Sequence, residues 1–316
     1  MQNSSIALVF PGQGSQKAGM GRDFYERSSI GKSTYQEASE ALGFDVVSLC
    51  FEENDRLNLT EYSQPCILAT EIAMLRVIQD LYGFQPHYFG GHSLGEYTAL
   101  VAAGVLSFTD ALRVVRERGR LMQKAAPVGM GGMAAIIADG IKREEVAEVL
   151  SELPVDIANI NSKKQIVISG EIKGLTNAQA DFTRYFGEQR SFRFVPLTVS
   201  APFHSRFMKG IREPFADTLR EIESNINPDR AFFVTSNFTG GFHENNREKI
   251  IEHLIAQLTG TVKWIDNMHA LSSVSQKIFE IGPGRPLRDF FKTIEISCTS
   301  ITTLSAASRV FEAEKD

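Results

Sequence analysis

The chain has 316 residues, about twice the size of an average domain, and 43% of them are hydrophobic, which is enough to form a sizeable core. Its 33 Lys and Arg against 38 Asp and Glu give a formal net charge of -5, which excludes the cationic surface typical of proteins that bind nucleic acid or anionic lipid. The three cysteines, Cys50, Cys66 and Cys298, are odd in number and widely spaced, which argues against a disulfide framework and a structural zinc site.

The first elements indicate an α/β protein. The short apolar run Ile6–Phe10 predicts a strand buried on both faces, and it ends at Pro11-Gly12 before reaching the length of a signal peptide or a membrane span. With the unpaired cysteines, this predicts a cytoplasmic protein without a membrane segment. The pattern then predicts, in order, a helix at 63–82, a strand at 87–91 and helices at 94–103 and 107–124.

A glycine-rich stretch at 129–132 marks a change to shorter elements. From there the pattern predicts six elements in the order βαββαβ, the order of a ferredoxin-like unit: strand 133–138, helix 142–150, strands 155–161 and 165–169, helix 172–186 and strand 192–197. Longer helices return afterwards, with apolar runs at 232–234 and 277–281 that predict two further strands. We therefore expect a small domain at 129–197 inserted into a larger one formed by 1–128 and 198–316.

The most specific local motif is Gly91-His92-Ser93-Leu94-Gly95, which matches the GxSxG pattern of a nucleophile elbow. Glycines on both sides relieve crowding where a serine lies in a sharp turn between a strand and a helix. The predicted strand before it and the predicted helix after it are the elements that this turn requires. The alternative is a glycine-rich turn in which the serine only caps the helix.

A serine nucleophile needs a base, and the chain offers six histidines. His204 follows an irregular, proline-containing segment directly after the small unit, a plausible place for an active-site loop. His243, His253 and His269 have polar neighbours in sequence and are expected at the surface or at helix caps. The pattern favours His204 without deciding the choice.

Arg118 lies in the middle of an apolar stripe on the predicted helix at 107–124. A guanidinium is costly to bury unpaired, so Arg118 needs either an internal carboxylate or the carboxylate of a ligand. A structural ion pair or a side chain reaching out to solvent explains the position equally well.

Several motifs occur along the chain in a fixed order. They are Phe10-Pro11-Gly12-Gln13-Gly14-Ser15-Gln16, Gly91-His92-Ser93-Leu94-Gly95-Glu96-Tyr97, Arg118-Gly119, Met122-Gln123, His204 and Glu280-Ile281-Gly282-Pro283-Gly284. In this order and spacing the chain resembles the malonyl-CoA:acyl-carrier-protein transacylases and the related acyltransferase domains of polyketide synthases. The resemblance runs from Phe10 to about Ile301 and implies an α/β-hydrolase-like large domain with an inserted ferredoxin-like small domain.

Carried over by position, the resemblance implies that Ser93 is the nucleophile and His204 its general base. It implies that Gln13 and Leu94 supply the backbone N–H groups of an oxyanion hole. Arg118 would bind the free carboxylate of a malonyl group, and this carboxylate would be the partner that the buried guanidinium needs.

Four further positions match the family with less specific roles. The resemblance implies that the main-chain carbonyl of Gln257 orients His204, so that no triad aspartate is expected. Gln64 and Asn161 match positions near the substrate pocket. Phe203 resembles the bulky residue of malonyl-selective members and is expected to disfavour an α-methyl branch.

The implied reaction is ping-pong transfer of a malonyl group from malonyl-CoA to the phosphopantetheine thiol of an acyl carrier protein, with no metal or other cofactor. The carrier belongs to fatty-acid or polyketide synthesis, and the sequence does not decide which. We expect a monomer. Arg206, Lys209 and Arg212 are candidates for a carrier-docking patch, but the pattern favours a solvated helix face for them.

Two other functions use the same features. An acyl-thioester hydrolase on the same scaffold would also use Ser93 and His204, but it would admit water to the acyl-serine. The presence of Arg118 favours transfer, because family members that trim acyl groups tend to lack this arginine. A non-catalytic module that only docks carrier proteins is disfavoured by the complete set of candidate catalytic residues.

Overall fold

The computed structural model describes residues 5–127, 129–199 and 201–312. The first part of the chain forms β1 (Ile6–Phe10), α1 (Arg22–Arg27), α2 (Ser29–Leu42), α3 (Val46–Phe51), α4 (Thr60–Tyr82), β2 (Tyr88–Gly91), α5 (Leu94–Ala102) and α6 (Phe108–Lys124). The middle part forms β3 (Gly131–Ile137), α7 (Arg143–Leu150), β4 (Val155–Ser162), β5 (Gln165–Glu171), α8 (Ile172–Phe186) and β6 (Arg193–Leu197). The last part forms α9 (Arg212–Glu221), α10 (Arg247–Gln257), α11 (Trp264–Val274), β7 (Lys277–Ile281), α12 (Pro286–Lys292), β8 (Thr299–Ile301) and α13 (Leu304–Glu312).

The first sheet is parallel and has the strand order β2-β1-β7-β8. Its β1 strand is a short apolar run that the sheet buries, as the sequence predicts for a strand covered on both faces. Phe10 pairs with Gly91, so β1 and β2 end side by side. The loop that carries Gln13 and the turn that carries Ser93 therefore start from the same edge, where open parallel sheets bind their ligands.

The second sheet is antiparallel, with the order β4-β5-β3-β6, and two helices complete the βαββαβ arrangement that the sequence predicts. Ile136 and Ile168 on one face pack with Phe182 of α8 in a small core of their own. Met133 and Val167 on the other face join the core of the larger part. The predicted fold class, an α/β protein with a ferredoxin-like insertion, is confirmed, while the exact boundary at residue 128 lies outside the described residues.

The helix α6 begins where the sequence predicts, because Ser107 caps it by accepting a hydrogen bond from the backbone N–H of Asp110 at 3.1 Å. The apolar stripe of α6 packs against α4, with Gly119 fitting closely against the backbone carbonyl of Thr60. This packing carries Arg118 into the interior, where it is only 1% exposed.

The predicted strand at 232–234 is wrong. Pro228 begins a 3₁₀ helix that runs to Phe233 and is capped by Asn227, and Val234 makes only an isolated parallel bridge to Phe89. Proline fits the first turn of a helix, and three apolar residues are too short a run to distinguish a strand from a helical turn. The helix α4 also starts three residues earlier than predicted and includes Pro65. Within the described ranges, no helix is long and apolar enough to span a membrane.

Candidate active site

Ser93 lies in a tight turn between β2 and α5, with φ 52° and ψ −98°, a strained conformation for a residue with a side chain. A Cβ at Gly91 would overlap the backbone of Gly95, and a Cβ at Gly95 would overlap the carbonyl of Phe10. Both glycines of the motif are therefore required by close backbone approach. The turn is a strand-to-helix elbow, as the sequence predicts.

Asn237, which no sequence motif indicated, stabilises this turn. Its Oδ1 accepts a hydrogen bond from the backbone N–H of Ser93 at 2.6 Å, and its Nδ2 donates to the carbonyl of Gly91 at 2.8 Å. The side chain is fully buried. Because strained backbone persists only where its surroundings hold it, these two bonds help to keep the hydroxyl of Ser93 in place.

His204 contacts Ser93 directly, at 2.7 Å between Nε2 and Oγ. Its Nδ1 lies 2.8 Å from the main-chain carbonyl of Gln257, which can only accept a hydrogen bond. Nδ1 therefore carries the proton and Nε2 is free to accept the proton of Ser93. Burial first, and then the positive charge of Arg118, lower the pKa of His204 to about 3. The imidazole is accordingly neutral at neutral pH, as a base must be.

Arg118 reaches the same point from α6. Its Nη2 donates to Ser93 Oγ at 3.1 Å and to Gln257 Oε1 at 2.8 Å, and its Nη1 donates to Gln64 Oε1 at 2.9 Å. No Asp or Glu forms an ion pair with it among the described residues, and its buried Nε–H has no hydrogen-bond partner there. Burial lowers the pKa of this guanidinium from its usual value, but arginine remains charged in proteins. The site thus holds a buried cation with neutral partners, ready for a ligand carboxylate.

Gln13 and Leu94 lie on either side of Ser93, at the ends of β1 and β2. Leu94 is the first residue of α5, where backbone N–H groups have no partner within the helix. The side chain of Gln13 donates to Thr60 Oγ1 at 3.2 Å and accepts from Gln64 Nε2 at 3.4 Å. These contacts anchor the loop after β1 beside the serine.

Gln64, Asn161 and Phe203 all line the same cavity. Gln64 links Gln13 to Arg118, as its contacts above describe. Asn161 Oδ1 lies 2.8 Å from His92 Nε2, and Asn161 Nδ2 donates to Gln165 at 2.7 Å. Phe203 is 6% exposed and directly precedes the base. The structure therefore brings together every site residue that the sequence selected.

The cavity in front of Ser93 has a volume of about 580 Å³. One side is polar and comes from the loop after β1, the elbow and Arg118. The second sheet contributes a mixed wall, in which Asn161 lies beside apolar side chains. The apolar lining residues come from the second sheet (Met133, Ala135, Val167 and Leu197), from α6 and α12 (Met122, Leu287 and Phe290) and from the segment before the base (Val199 and Phe203). The space is large enough for an extended small molecule.

The expectation that His243 and His253 lie at the surface is wrong, because they are 2% and 7% exposed. His243 Nε2 lies 2.8 Å from Oε1 of the buried Glu96. A signal for this contact was present in the sequence: Glu96 is a charged residue in an otherwise apolar helix and needs a buried partner. His269 is exposed as predicted. No group of three or more His, Cys, Asp or Glu able to hold a metal occurs among the described residues.

Comparisons with known proteins agree with this geometry. Residues 7–264 match the family described as acyl transferase domain. The malonyl CoA-acyl carrier protein transacylase of Bacillus subtilis (strain 168) is 38% identical, with 99% of this chain and 99% of that protein covered. The crystal structure of malonyl CoA-acyl carrier protein transacylase from Clostridium perfringens has a TM-score of 0.91 at 34% identity, covering 99% of this chain and 98% of that one.

A further solved structure contains a partner. It shows a type II polyketide-synthase acyl-carrier protein in complex with its malonyl-transacylase, and this chain is similar to it with a TM-score of 0.88 and 33% identity. The similarity covers 98% of this chain and 100% of that one.

Proposed function

Because the chain belongs to the acyl transferase domain family, we propose that it moves a malonyl group from malonyl-CoA to the thiol of an acyl carrier protein, through an ester on Ser93. The observation that carries this proposal is the short chain of contacts from Ser93 Oγ to His204 and on to the carbonyl of Gln257, with Arg118 beside the same oxygen. These contacts place a nucleophile, a neutral base and a cation able to bind a carboxylate in one cavity.

In the first half-reaction, His204 Nε2 takes the proton of Ser93 while Oγ attacks the thioester carbonyl. The backbone N–H groups of Gln13 and Leu94 stabilise the oxyanion of the tetrahedral intermediate, because α5 directs its unpaired N–H groups toward the serine. The intermediate collapses, the C–S bond breaks, and the imidazolium returns the proton to the departing CoA thiolate. Malonyl-Ser93 remains.

In the second half-reaction, the thiol of the carrier arm enters the same cavity. His204 takes the thiol proton as the sulfur attacks the ester carbonyl, and the same two N–H groups stabilise the new oxyanion. Breaking of the C–O bond releases Ser93 Oγ, which recovers its proton from the imidazolium. The bonds formed and broken balance without a metal or redox cofactor.

Arg118 is proposed to recognise the free carboxylate of the malonyl group. Its Nη2 and His204 Nε2 both contact Ser93 Oγ, so a malonyl carboxylate that binds Arg118 would draw a donor away from the nucleophile. An acetyl group offers no such acceptor and would leave a desolvated guanidinium without its partner, a penalty of about 1–3 kcal/mol. This selectivity supports transfer over the alternative of a general thioester hydrolase.

The remaining candidate residues are proposed to shape the pocket. Gln64 forms hydrogen bonds with both Arg118 and Gln13 and so fixes their relative positions. Asn161 fixes His92 at the cavity wall. Phe203 is proposed to disfavour an α-methyl branch by its bulk beside the base.

The docking surface for the carrier is proposed to include Lys209 and Arg212, which are exposed. Arg206 contributes less positive charge, because it forms a paired contact with Asp156 at 2.6–3.0 Å.

We also propose the division into a catalytic domain of 1–128 and 198–316 and a small domain of 129–197, supported by the second sheet with its separate core. Three free thiols support a cytoplasmic location.

The proposed function is tested by mixing the protein with malonyl-CoA and either the holo or the apo form of an acyl carrier protein. We expect the holo carrier alone to gain a malonyl group, with Ser93→Ala as the inactive control. Release of free malonate at the same rate with either form, and no carrier product, would instead indicate a hydrolase.

A further inference from the structure

Three buried polar side chains form a series of hydrogen bonds that leads to Arg118 and Ser93 without lining the cavity. Glu96, His243 and Gln257 are 0%, 2% and 1% exposed. No step of the proposed reaction uses the side chains of any of them. Burial of so many polar groups is costly unless each finds a partner, so their arrangement calls for a reason.

Glu96 lies on the first turn of α5, three residues after Ser93. Its Oε2 accepts hydrogen bonds from Gln257 Nε2 at 2.6 Å and from the backbone N–H of Asn237 at 3.1 Å. Its Oε1 accepts from His243 Nε2 at 2.8 Å. The carboxylate thus joins three segments that are distant in sequence.

Gln257 carries these contacts to the reacting groups. Its main-chain carbonyl accepts from His204, its side-chain Oε1 accepts from Arg118 Nη2 at 2.8 Å, and its Nε2 also donates to the carbonyl of Ser93 at 3.1 Å. Gln257 therefore contacts the backbone of Ser93, the base His204 and the guanidinium of Arg118.

The orientation of the Gln257 side-chain amide decides whether the contact with Arg118 is favourable. An amide has nearly the same shape when its oxygen and nitrogen are exchanged, so its neighbours determine which end points where. A guanidinium only donates, and a flipped amide would place its NH₂ against Arg118. Glu96 Oε2 also accepts from the backbone N–H of Asn237 and so faces Gln257 as an acceptor, which requires the NH₂ on its own side.

We propose that Glu96, held in turn by His243, is a positioning residue that fixes the orientation of the Gln257 amide and thereby the place of Arg118. The inference rests on the proposed function, because its effect is measured through malonyl transfer. His243 supplies a hydrogen bond that keeps the carboxylate turned toward Gln257. Neither residue touches the substrate cavity, so both act on selectivity from a distance.

The test compares the rates at which malonyl-CoA and acetyl-CoA acylate Ser93, measured by rapid quenching and intact-protein mass spectrometry. His243→Leu removes the donor to Glu96, whereas His243→Gln keeps a donor at the position of Nε2. We expect the malonyl-to-acetyl rate ratio to fall about tenfold in His243→Leu and to stay within about twofold of wild type in His243→Gln. Glu96→Gln, which has the same shape but no longer requires the amide's NH₂, is expected to lower the ratio by a similar factor.

A structural role alone would lower both rates together and leave their ratio unchanged, and that result would overturn the proposal. If His243→Leu does not fold, as thermal unfolding will show, the ratio in Glu96→Gln decides. A wild-type protein that forms no malonyl adduct would contradict the proposed function instead, so the two failures are distinguishable.

Discussion

The parallel sheet and the antiparallel sheet line the same cavity with different chemistry. The edge of the parallel sheet presents Ser93 within a network of buried hydrogen bonds, in which His204, Gln257 and Asn237 each have fixed partners. The antiparallel sheet contributes apolar side chains such as Met133 and Val167 beside the amide of Asn161. Directional bonds fix positions to a fraction of an ångström, while apolar contacts favour shape and area. We therefore expect substitutions on the first side to change kcat and those on the second to change KM.

The largest effect is expected from His204→Ala. Loss of the base should slow both half-reactions by about 10²–10⁴-fold, because no other side chain contacts Ser93 Oγ as a neutral acceptor among the described residues. Single-turnover acylation by malonyl-CoA and transfer to the holo carrier measure the two steps separately. A normal acylation burst in this variant would remove His204 as the base.

Arg118→Ala should lower acylation by malonyl-CoA by roughly 10²-fold while sparing acylation by acetyl-CoA. The reason is that only the malonyl group has a carboxylate, which loses its cationic partner when Arg118 is removed. Parallel assays with the two thioesters provide the measurement. Arg120→Ala is the matched control, because Arg120 lies on the same helix but is partly exposed and pairs with Glu117. Equal losses for both thioesters would contradict the carboxylate role.

The pH dependence of acylation gives a smaller but distinctive effect. The lowered pKa of His204, about 3, keeps the imidazole neutral, so the rate should stay nearly level from about pH 8 down to about pH 5. A histidine with an ordinary pKa near 6.5 would lose about tenfold per pH unit below that value. For the same reason, stability contributed by burying neutral His204 is present above about pH 6.5 and declines as pH falls toward the folded-state pKa. A rate that follows the ordinary titration curve would contradict the buried environment.

The smallest effect is expected from Met133→Ala, on the apolar wall. An apolar contact that is the same in the ground state and the transition state changes binding without changing the chemical step. We expect KM for the carrier or for malonyl-CoA to rise a few-fold, with kcat nearly unchanged, in steady-state assays. Met133→Leu, which nearly conserves volume, serves as the control. A large fall in kcat would erase the distinction between the two sides.

Much of the fold was predictable because local patterns agreed with the final packing. The apolar run of β1, the cap at Ser107 and the βαββαβ order each report on neighbours close in sequence. The 3₁₀ helix at Pro228–Phe233 was not predicted, because three apolar residues fit a strand and a helical turn equally well.

The candidate site likewise contains residues with a local sequence signal and residues without one. Ser93 and Arg118 stood out through a motif and a helical stripe, which are local signals. Asn237 and His243 did not, because their contacts with Ser93 and Glu96 span 144 and 147 residues of chain. For these two residues the one local signal was Glu96, a charged residue in an apolar helix that needs a buried partner.

Ser93 is proposed to carry the malonyl group between donor and acceptor. The decisive experiment is intact-protein mass spectrometry after brief mixing with malonyl-CoA, with Ser93→Ala as the comparison and holo carrier protein added afterwards. We expect a malonyl adduct on the wild type alone, and we expect this adduct to persist in buffer and to move to the carrier. An adduct that also forms on Ser93→Ala, or none on the wild type, would contradict it.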